Sequence, residues 1–375
     1  MILDMKSIGI IAEFNPFHEG HKFIMNKAKN DTDADVCVVV MSGNFVQRGN
    51  PAVFDKWTRA KDAVNQGVNL VVELPTVYAC SSAESFAQGG VRVLEGFGCI
   101  DYLAFGSEDG TIDSLKEAAE FLKEQDQALK SKIQALMKEG YSYPKGRQIA
   151  VLAMETNFDE TLIKEPNNIL GIEYLKQIET LQPYTTKRNG AGYHESASQI
   201  RLKMETEDPQ RFKCINDAYW NLVASKILQM RTDEIAGIAS ADHGLAHKLK
   251  KEIRYANSVD TLIDRLKSKV YTRSRISRLM TQLLLDVNEE DVEKASPYIR
   301  VLAFDQIGAK FLKSVRKNEC HHFPIITNMN KEAGLYPEIQ HTLAKDILAS
   351  DIYNLITGKN LYDYSDYIMR PFAKL

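Results

Sequence analysis

Two histidines three residues apart, His18 and His21, are the first residues of this chain whose type and spacing point to chemistry. They follow an apolar run, Ile8 to Ala12, that reads as a buried parallel strand, and a turn at Asn15-Pro16. Lys22 to Lys29 then reads as helix, which puts both imidazoles on its first turn and roughly on one face. A helix N-terminus offers free backbone N–H groups and a positive dipole end, so phosphate is its natural ligand. Gly20 lets a phosphate or ribose come close to the backbone. The other chemistry this spacing allows is half of a metal site. A second constellation, Ser196-Ala197-Ser198-Gln199-Ile200-Arg201, opens a later helix and carries hydroxyls, N–H groups and a guanidinium suited to polyphosphate.

Both segments need a scaffold that brings them together. Strand signals at Asp35–Ser42, Asn69–Leu74 and Asp101–Phe105 alternate with helical ones at Asp55–Gln66 and Ser81–Leu94. Asp55 is placed as an N-cap and Gly67 as a C-cap. Strands and helices in this order specify a parallel, Rossmann-like α/β sheet with ligands beyond the carboxyl ends of its strands. The polar, glycine-bearing loops 15–21, 43–49 and 106–108 fall at those ends. Residues 112–137 read as one long covering helix, Pro166–Gly171 as a loop entering another, and Pro183–Arg188 as a fifth strand carrying Lys187 and Arg188 to the same edge. Glu13 reads as a carboxylate that orients a loop, and Gln47-Arg48, in a loop at the sheet's active edge, as a substrate contact or a loop anchor.

Composition narrows the class. The chain has 375 residues, 44% hydrophobic and 26% charged, with a net charge of −3, ordinary for a soluble globular protein. No apolar run approaches bilayer length and no secretory leader is visible, so a cytoplasmic, non-membrane protein is expected. Five scattered cysteines, none in a Cys-x-x-Cys pair, argue against a disulfide framework or a structural zinc. Cys320-His321-His322 lacks spaced partners, and no metal-binding residue is assigned. A P-loop is also missing.

Beyond Asp208-Pro209 the chain becomes mainly helical, so the expected division is 1–208 and 209–375. Pro297–Phe304 and Phe323–Thr327 are short strands or buried loops. Lys248–Arg278 holds ten basic residues against three acidic ones, a local balance of +7 in a mildly acidic protein. With Tyr255 and Tyr271 interleaved, this run reads as an RNA-facing surface carried by Lys250, Lys251, Arg254, Arg273, Arg275 and Arg278.

The pairing of His-x-Gly-His with Ser-x-x-x-Ile-Arg resembles nucleotidyltransferases related to class I aminoacyl-tRNA synthetases. The ordered set FNPFHEGH, MSGNFVQRGNPAVFDKW, ELP, FGSE, PNNILG, PYTTKR and SASQIR resembles the bacterial tRNA(Met) cytidine acetate ligase family. That resemblance implies ATP and acetate as substrates, with magnesium accompanying ATP. It implies acetyl-adenylate formation with release of pyrophosphate, then acetyl transfer to the wobble cytidine of elongator tRNA(Met). It carries ATP contacts onto Ile11, Ala12, Glu13, Phe14, Asn15, Pro16, Phe17, His18, Glu19, Gly20, His21, Lys22, Phe23 and Ile24, and onto Gly106, Asn167 or Asn168, and Arg188. His18, His21 and Arg201 are the catalytic candidates, with Lys187, Arg188, Ser196 and Ser198 around the phosphates. His194 is a further residue placed to reach substrate. No obligate protein partner is expected. A rival reading keeps the adenylation chemistry but delivers acetate to a protein thiol, as citrate-lyase-activating ligases do.

Overall fold

The computed structural model describes residues 5–154, 160–188 and 196–374. Strand β1 (Ser7–Ala12) lies between β2 (Val36–Ser42) and β4 (Tyr102–Ser107); β3 (Leu70–Leu74) extends the sheet beyond β2 and β5 (Gln182–Lys187) extends it beyond β4. All of these pairings are parallel. Every residue of β2 and β3 is buried, as expected where helices cover both faces of a parallel sheet. The chain runs from β1 outward through β2 to β3, then crosses back to β4 on the other side. The order therefore reverses between β1 and β4, and crevices form at such switch points.

The helices supply both cover and reach. Helix α1 (Glu19–Thr32) begins at the end of β1, and α2 (Lys56–Asn65) begins at Asp55, whose carboxylate accepts from Thr58 N–H at 2.8 Å. Residues 112–137 form two helices, Ile112–Glu124 and Asp126–Lys138, that meet at Gln125. The helix expected beyond the 166–171 loop already begins at Pro166, with proline at its first turn.

The expected boundary at 208 falls between the Ala197–Glu207 and Pro209–Gln229 helices, but it does not separate two cores. Strand β6 (Ile299–Asp305) returns to pair antiparallel with β3, and β7 (Ile325–Ile326) and β8 (Phe372–Lys374) pair with β6. The sheet is therefore mixed, and the second half is not purely helical. The cause lies in β3, an apolar strand whose far edge needs a partner. Register sets Glu73 opposite Arg300. There Lys56 Nζ meets Glu73 at 2.7 Å and Asp366 at 3.0 Å, and Arg300 meets the same Asp366 at 2.9 Å. All four side chains are buried, and Lys56 and Arg300 both lie over the Trp57 ring. Burial pushes Glu73 up to about 7 against the pull of Lys56 and Arg300. Burial also works against Asp366, yet Arg300 and Lys56 hold it below its usual value. One buried hydrophobic cluster runs from Val38 and Phe45 to Tyr219 and Leu283, so the halves share a core.

Candidate active site

The turn after β1 is held in an unusual backbone state. Phe14 has φ +45°, a left-handed conformation that costs a bulky residue about 1–3 kcal/mol. Packing holds it there: Phe14 is buried, with Phe17 and His21 ring centroids 4.8 and 4.9 Å away, both edge-on. Asn15 is buried as well, and its Oδ1 accepts from Val53 N–H at 2.9 Å. The chain is thus delivered into α1 at a fixed angle.

The two histidines cap α1 reciprocally. His18 Nδ1 accepts from Gly20 N–H at 3.0 Å, while His21 Nδ1 accepts from the backbone N–H of His18 at 3.3 Å. Their rings stack with centroids 3.8 Å apart. Burial, aided by His18 and Arg188, holds His21 well below its usual pKa, so the ring is neutral. With Nδ1 accepting, the ring proton of His21 sits on Nε2. A neutral donor that is already oriented can then meet a phosphate oxygen without reorganisation.

His21 lines a cavity of about 220 Å³ at the β1/β4 switch point. Of the expected nucleotide contacts, Ile11, Ala12, Glu13, Phe14, Phe17, Ile24, Gly106, Asn167 and Arg188 line it too. Gly106 lets its neighbours come close: a Cβ there would stand 2.8 Å from Ile24 Cδ1 and 2.9 Å from Arg188 Cγ, so both side chains would have to shift. Gln47, which the resemblance would set against RNA phosphate or acetate, is part of this wall, and Phe86, Phe105 and Tyr174 give it aromatic surface that no sequence motif marked.

The asparagine pair divides. Asn167 lines the cavity, and its Oδ1 accepts from Arg188 at 2.6 Å. Asn168 is buried; its Oδ1 accepts from the N–H groups of Glu108 and Asp109 at 2.9 and 3.1 Å, and its own N–H donates to Glu108 at 2.8 Å. Asn168 therefore shapes the loop after β4, and Asn167 is the member of the pair that lines the cavity.

Around the mouth, Arg201 donates to Asn15 O at 2.6 Å and to Ser198 Oγ at 3.0 Å, tying the SASQIR helix to the histidine turn. Ser196 is occupied as the cap of that helix. Lys187 and Arg188 are exposed at the end of β5. Asn15, Pro16, His18, Glu19, Gly20, Lys22 and Phe23 build the turn and first helical turns without lining the cavity itself. His194 lies outside the described residues.

Glu13 accepts from Gln47 N–H at 2.9 Å, and burial raises its pKa against the opposing pull of Arg59, Arg201 and Arg48. Its observed bond is to a loop, in line with an orienting role. Arg59, which no motif reading singled out, is fully buried. It donates to the carbonyls of Phe54, Glu13 and Ser42 at 2.9, 2.6 and 3.1 Å, and also to Gly43 O. It pins the ends of β1 and β2 at the site.

The basic run is arranged differently. Lys250 donates to Ile227 O and Met230 O at 2.9 and 2.7 Å, closing the end of the Pro209–Gln229 helix. Arg273 pairs with Asp264 at 2.8 Å and with Asp260, and Arg275 pairs with Asp242 at 2.9 Å. Lys251 and Arg254 are exposed and form no ion pair among the described residues. Arg278 is half-buried against Gly49, whose φ of +78° and 2.4 Å gap from a Cβ to Arg278 Cα admit only glycine. Gly49 O accepts from Thr281 Oγ1 at 2.7 Å, so the Arg273–Leu285 helix holds the loop that presents Gln47 and the exposed Arg48.

The comparisons agree with this geometry. A family model described as HIGH Nucleotidyl Transferase matches residues 5–366. The tRNA(Met) cytidine acetate ligase of Clostridium novyi is 35% identical over 98% of this chain and 99% of its own length. That of Halothermothrix orenii is 31% identical over 94% and 95%. The crystal structure of Thermotoga maritima TmcAL bound with alpha-thio ATP matches at a TM-score of 0.89 and 29% identity, covering 99% of this chain and 100% of that one. Motifs, topology and near-full-length similarity place this chain in the HIGH nucleotidyl transferase family, among the tRNA(Met) cytidine acetate ligases.

Proposed function

We propose that the chain activates acetate with ATP and acetylates the exocyclic amine of the wobble cytidine of elongator tRNA(Met), giving N4-acetylcytidine. The observation that carries this reading is the reciprocally capped His18–His21 pair, whose neutral His21 lines the switch-point cavity. ATP enters as its magnesium complex; among the described residues no group of three or more metal-ligating side chains occurs, so the cation is expected to stay on phosphate and water oxygens. An acetate oxygen attacks the α-phosphorus in line, the bond to the β-phosphate bridging oxygen breaks, and pyrophosphate leaves. His21 Nε2–H steadies the charge growing on the α-phosphate, His18 fixes the turn, and Arg201, Lys187 and Arg188 face the departing pyrophosphate. The cytidine amine then attacks the acetyl carbonyl, loses a proton, and displaces AMP. The apolar wall limits water, which would hydrolyse the adenylate.

Residues 1–208 carry the activation chemistry and residues 209–375 hold most of the RNA through Lys251, Arg254 and Arg278, with Arg48 of the first part as a further cation for phosphates. The protein works in the cytoplasm without an obligate protein partner. The test is incubation of the pure protein with labelled acetate, MgATP and elongator tRNA(Met). Label at one cytidine with release of AMP supports the reading, and ADP as product with unlabelled RNA overturns it. Label appearing on a protein thiol would favour the citrate-lyase-activating type of ligase.

A further inference from the structure

A second cavity, of about 360 Å³, lies between the Pro209–Gln229 helix, the Gln340–Thr357 helix and the segment leading into α2. It shares no lining residue with the switch-point cavity and takes no part in the adenylation chemistry above. Its walls combine apolar surface with one planar cation. The Arg211 guanidinium lies 5.0 Å from the Phe54 ring centroid and 5.8 Å from that of Phe212, and Nη2 donates to Val53 O at 2.8 Å, which fixes the plane. At the rim, Lys359 Nζ bonds Asp55 at 2.6 Å and lies 4.6 Å from the centre of the Tyr364 ring. Tyr364 is 42% exposed and Tyr362, two residues earlier, is 73% exposed.

The cavity is tied to the active site through one residue. Val53 accepts from Arg211 with its carbonyl and donates its N–H to Asn15 Oδ1 at 2.9 Å, while Asn15 O accepts from Arg201. A single stretch of backbone therefore separates this cavity from the histidine turn. Guanidinium and aromatic planes are the surfaces on which unstacked RNA bases are held, and a carboxylate beside an ammonium offers an acceptor and donors to a base edge. An amine that must reach the adenylate has to be swung out of its stack, and its neighbour in the strand is then unstacked too.

Resting on the reading of the substrate as RNA, we propose that the cavity lined by Phe54, Arg211, Cys214, Tyr353 and Lys359 binds the nucleobase next to the acetylated cytidine, stacking it on the Arg211 plane. The cavity thereby registers the strand so that the target amine meets the acetyl group.

Cys214 provides the probe. It lines the cavity and is exposed, whereas Cys37 and Cys80 are buried and Cys99 and Cys320 are half-buried. Alkylation of Cys214 by a maleimide is followed by peptide mass spectrometry, with and without an elongator tRNA(Met) transcript. The RNA should slow the reaction several-fold, and MgATP with acetate alone should not. In fully alkylated enzyme, acetyl transfer should fall about tenfold relative to acetate-dependent ATP–pyrophosphate exchange on the same sample, the scale of one lost stacking contact. Arg211→Lys keeps the charge but loses the plane, and should raise the KM for RNA by a similar factor. Equal alkylation rates with and without RNA, full transfer by alkylated enzyme, or an unchanged KM in Arg211→Lys would each overturn the site while leaving the function intact. Unmodified enzyme that exchanges pyrophosphate but acetylates no RNA would overturn the RNA reading itself, and this site with it.

Discussion

The histidine turn and the basic run use polar groups in opposite ways. At the turn, side chains and backbone satisfy one another locally, and what is left over is a neutral, aimed donor on His21. In the Lys248–Arg278 run, charge is plentiful, but Lys250, Arg273 and Arg275 are engaged with carbonyls and carboxylates of their own half. Counting charges thus overstates how many cations a nucleic acid can meet. Counting the exposed ones that form no ion pair among the described residues points to Lys251, Arg254, Lys267 and Lys269, with Arg48 beside the active site.

The sharpest way to break this contrast is at the turn. His21→Ala should lower acetate-dependent ATP–pyrophosphate exchange about 10²–10³-fold, the usual cost of one preorganised donor, while RNA binding persists. Equal loss of both would mean that the turn serves the fold rather than the phosphate. The asparagine pair offers a finer test on the same edge. Asn168→Ala leaves the Glu108 and Asp109 N–H groups without their acceptor and should cost about 1–3 kcal/mol in urea unfolding. Asn167→Ala should spare stability and raise the KM for ATP. On the other side of the comparison, replacing both Lys251 and Arg254 with alanine should weaken RNA binding several-fold and reduce its logarithmic salt slope by about 2. Arg273→Ala, which removes a cation already shared by two aspartates, should change that slope less; the reverse ranking would restore the whole run as a phosphate-binding face. The smallest effect concerns pH. The folded-state pKa of His21 lies well below 6.5, so on acidification the unfolded chain takes up that proton first. Its contribution to stability is complete above about pH 6.5 and is lost as pH falls toward the folded-state value. Unfolding curves of the wild type and His21→Gln should therefore converge on acidification below about pH 6.5.

Much of the site was legible because it is contiguous. Strand, turn, both histidines and the Ser196 cap occupy short stretches whose geometry follows from local rules, and the order of strands placed their loops on one edge. Asn167 and Asn168 could not be told apart, because their roles depend on Glu108, some sixty residues earlier. Arg59 went unnoticed for a similar reason: it sits in an unremarkable helical pattern, and its acceptors lie at the ends of two strands. The basic run misled in part because net charge carries no information about pairing. Arg273 meets aspartates nine and thirteen residues away across a helix break. The return of β6 to the sheet left only a weak signal, a short apolar segment after a long helical stretch.

The buried meeting of Lys56, Glu73, Arg300 and Asp366 bears on how the protein is made. Synthesis delivers the chain from its N-terminus, and earlier segments begin to fold while later ones are absent. Lys56 and Glu73 emerge early, Arg300 much later, and Asp366, the carboxylate that both cations share, later still. Until then Lys56 and Arg300 lack the carboxylate that bonds both of them. A chain cut short before residue 366 leaves two buried cations without that partner, and the cell's proteases should clear it. Asp366 thus ties the durability of the catalytic edge to a segment made long after that edge.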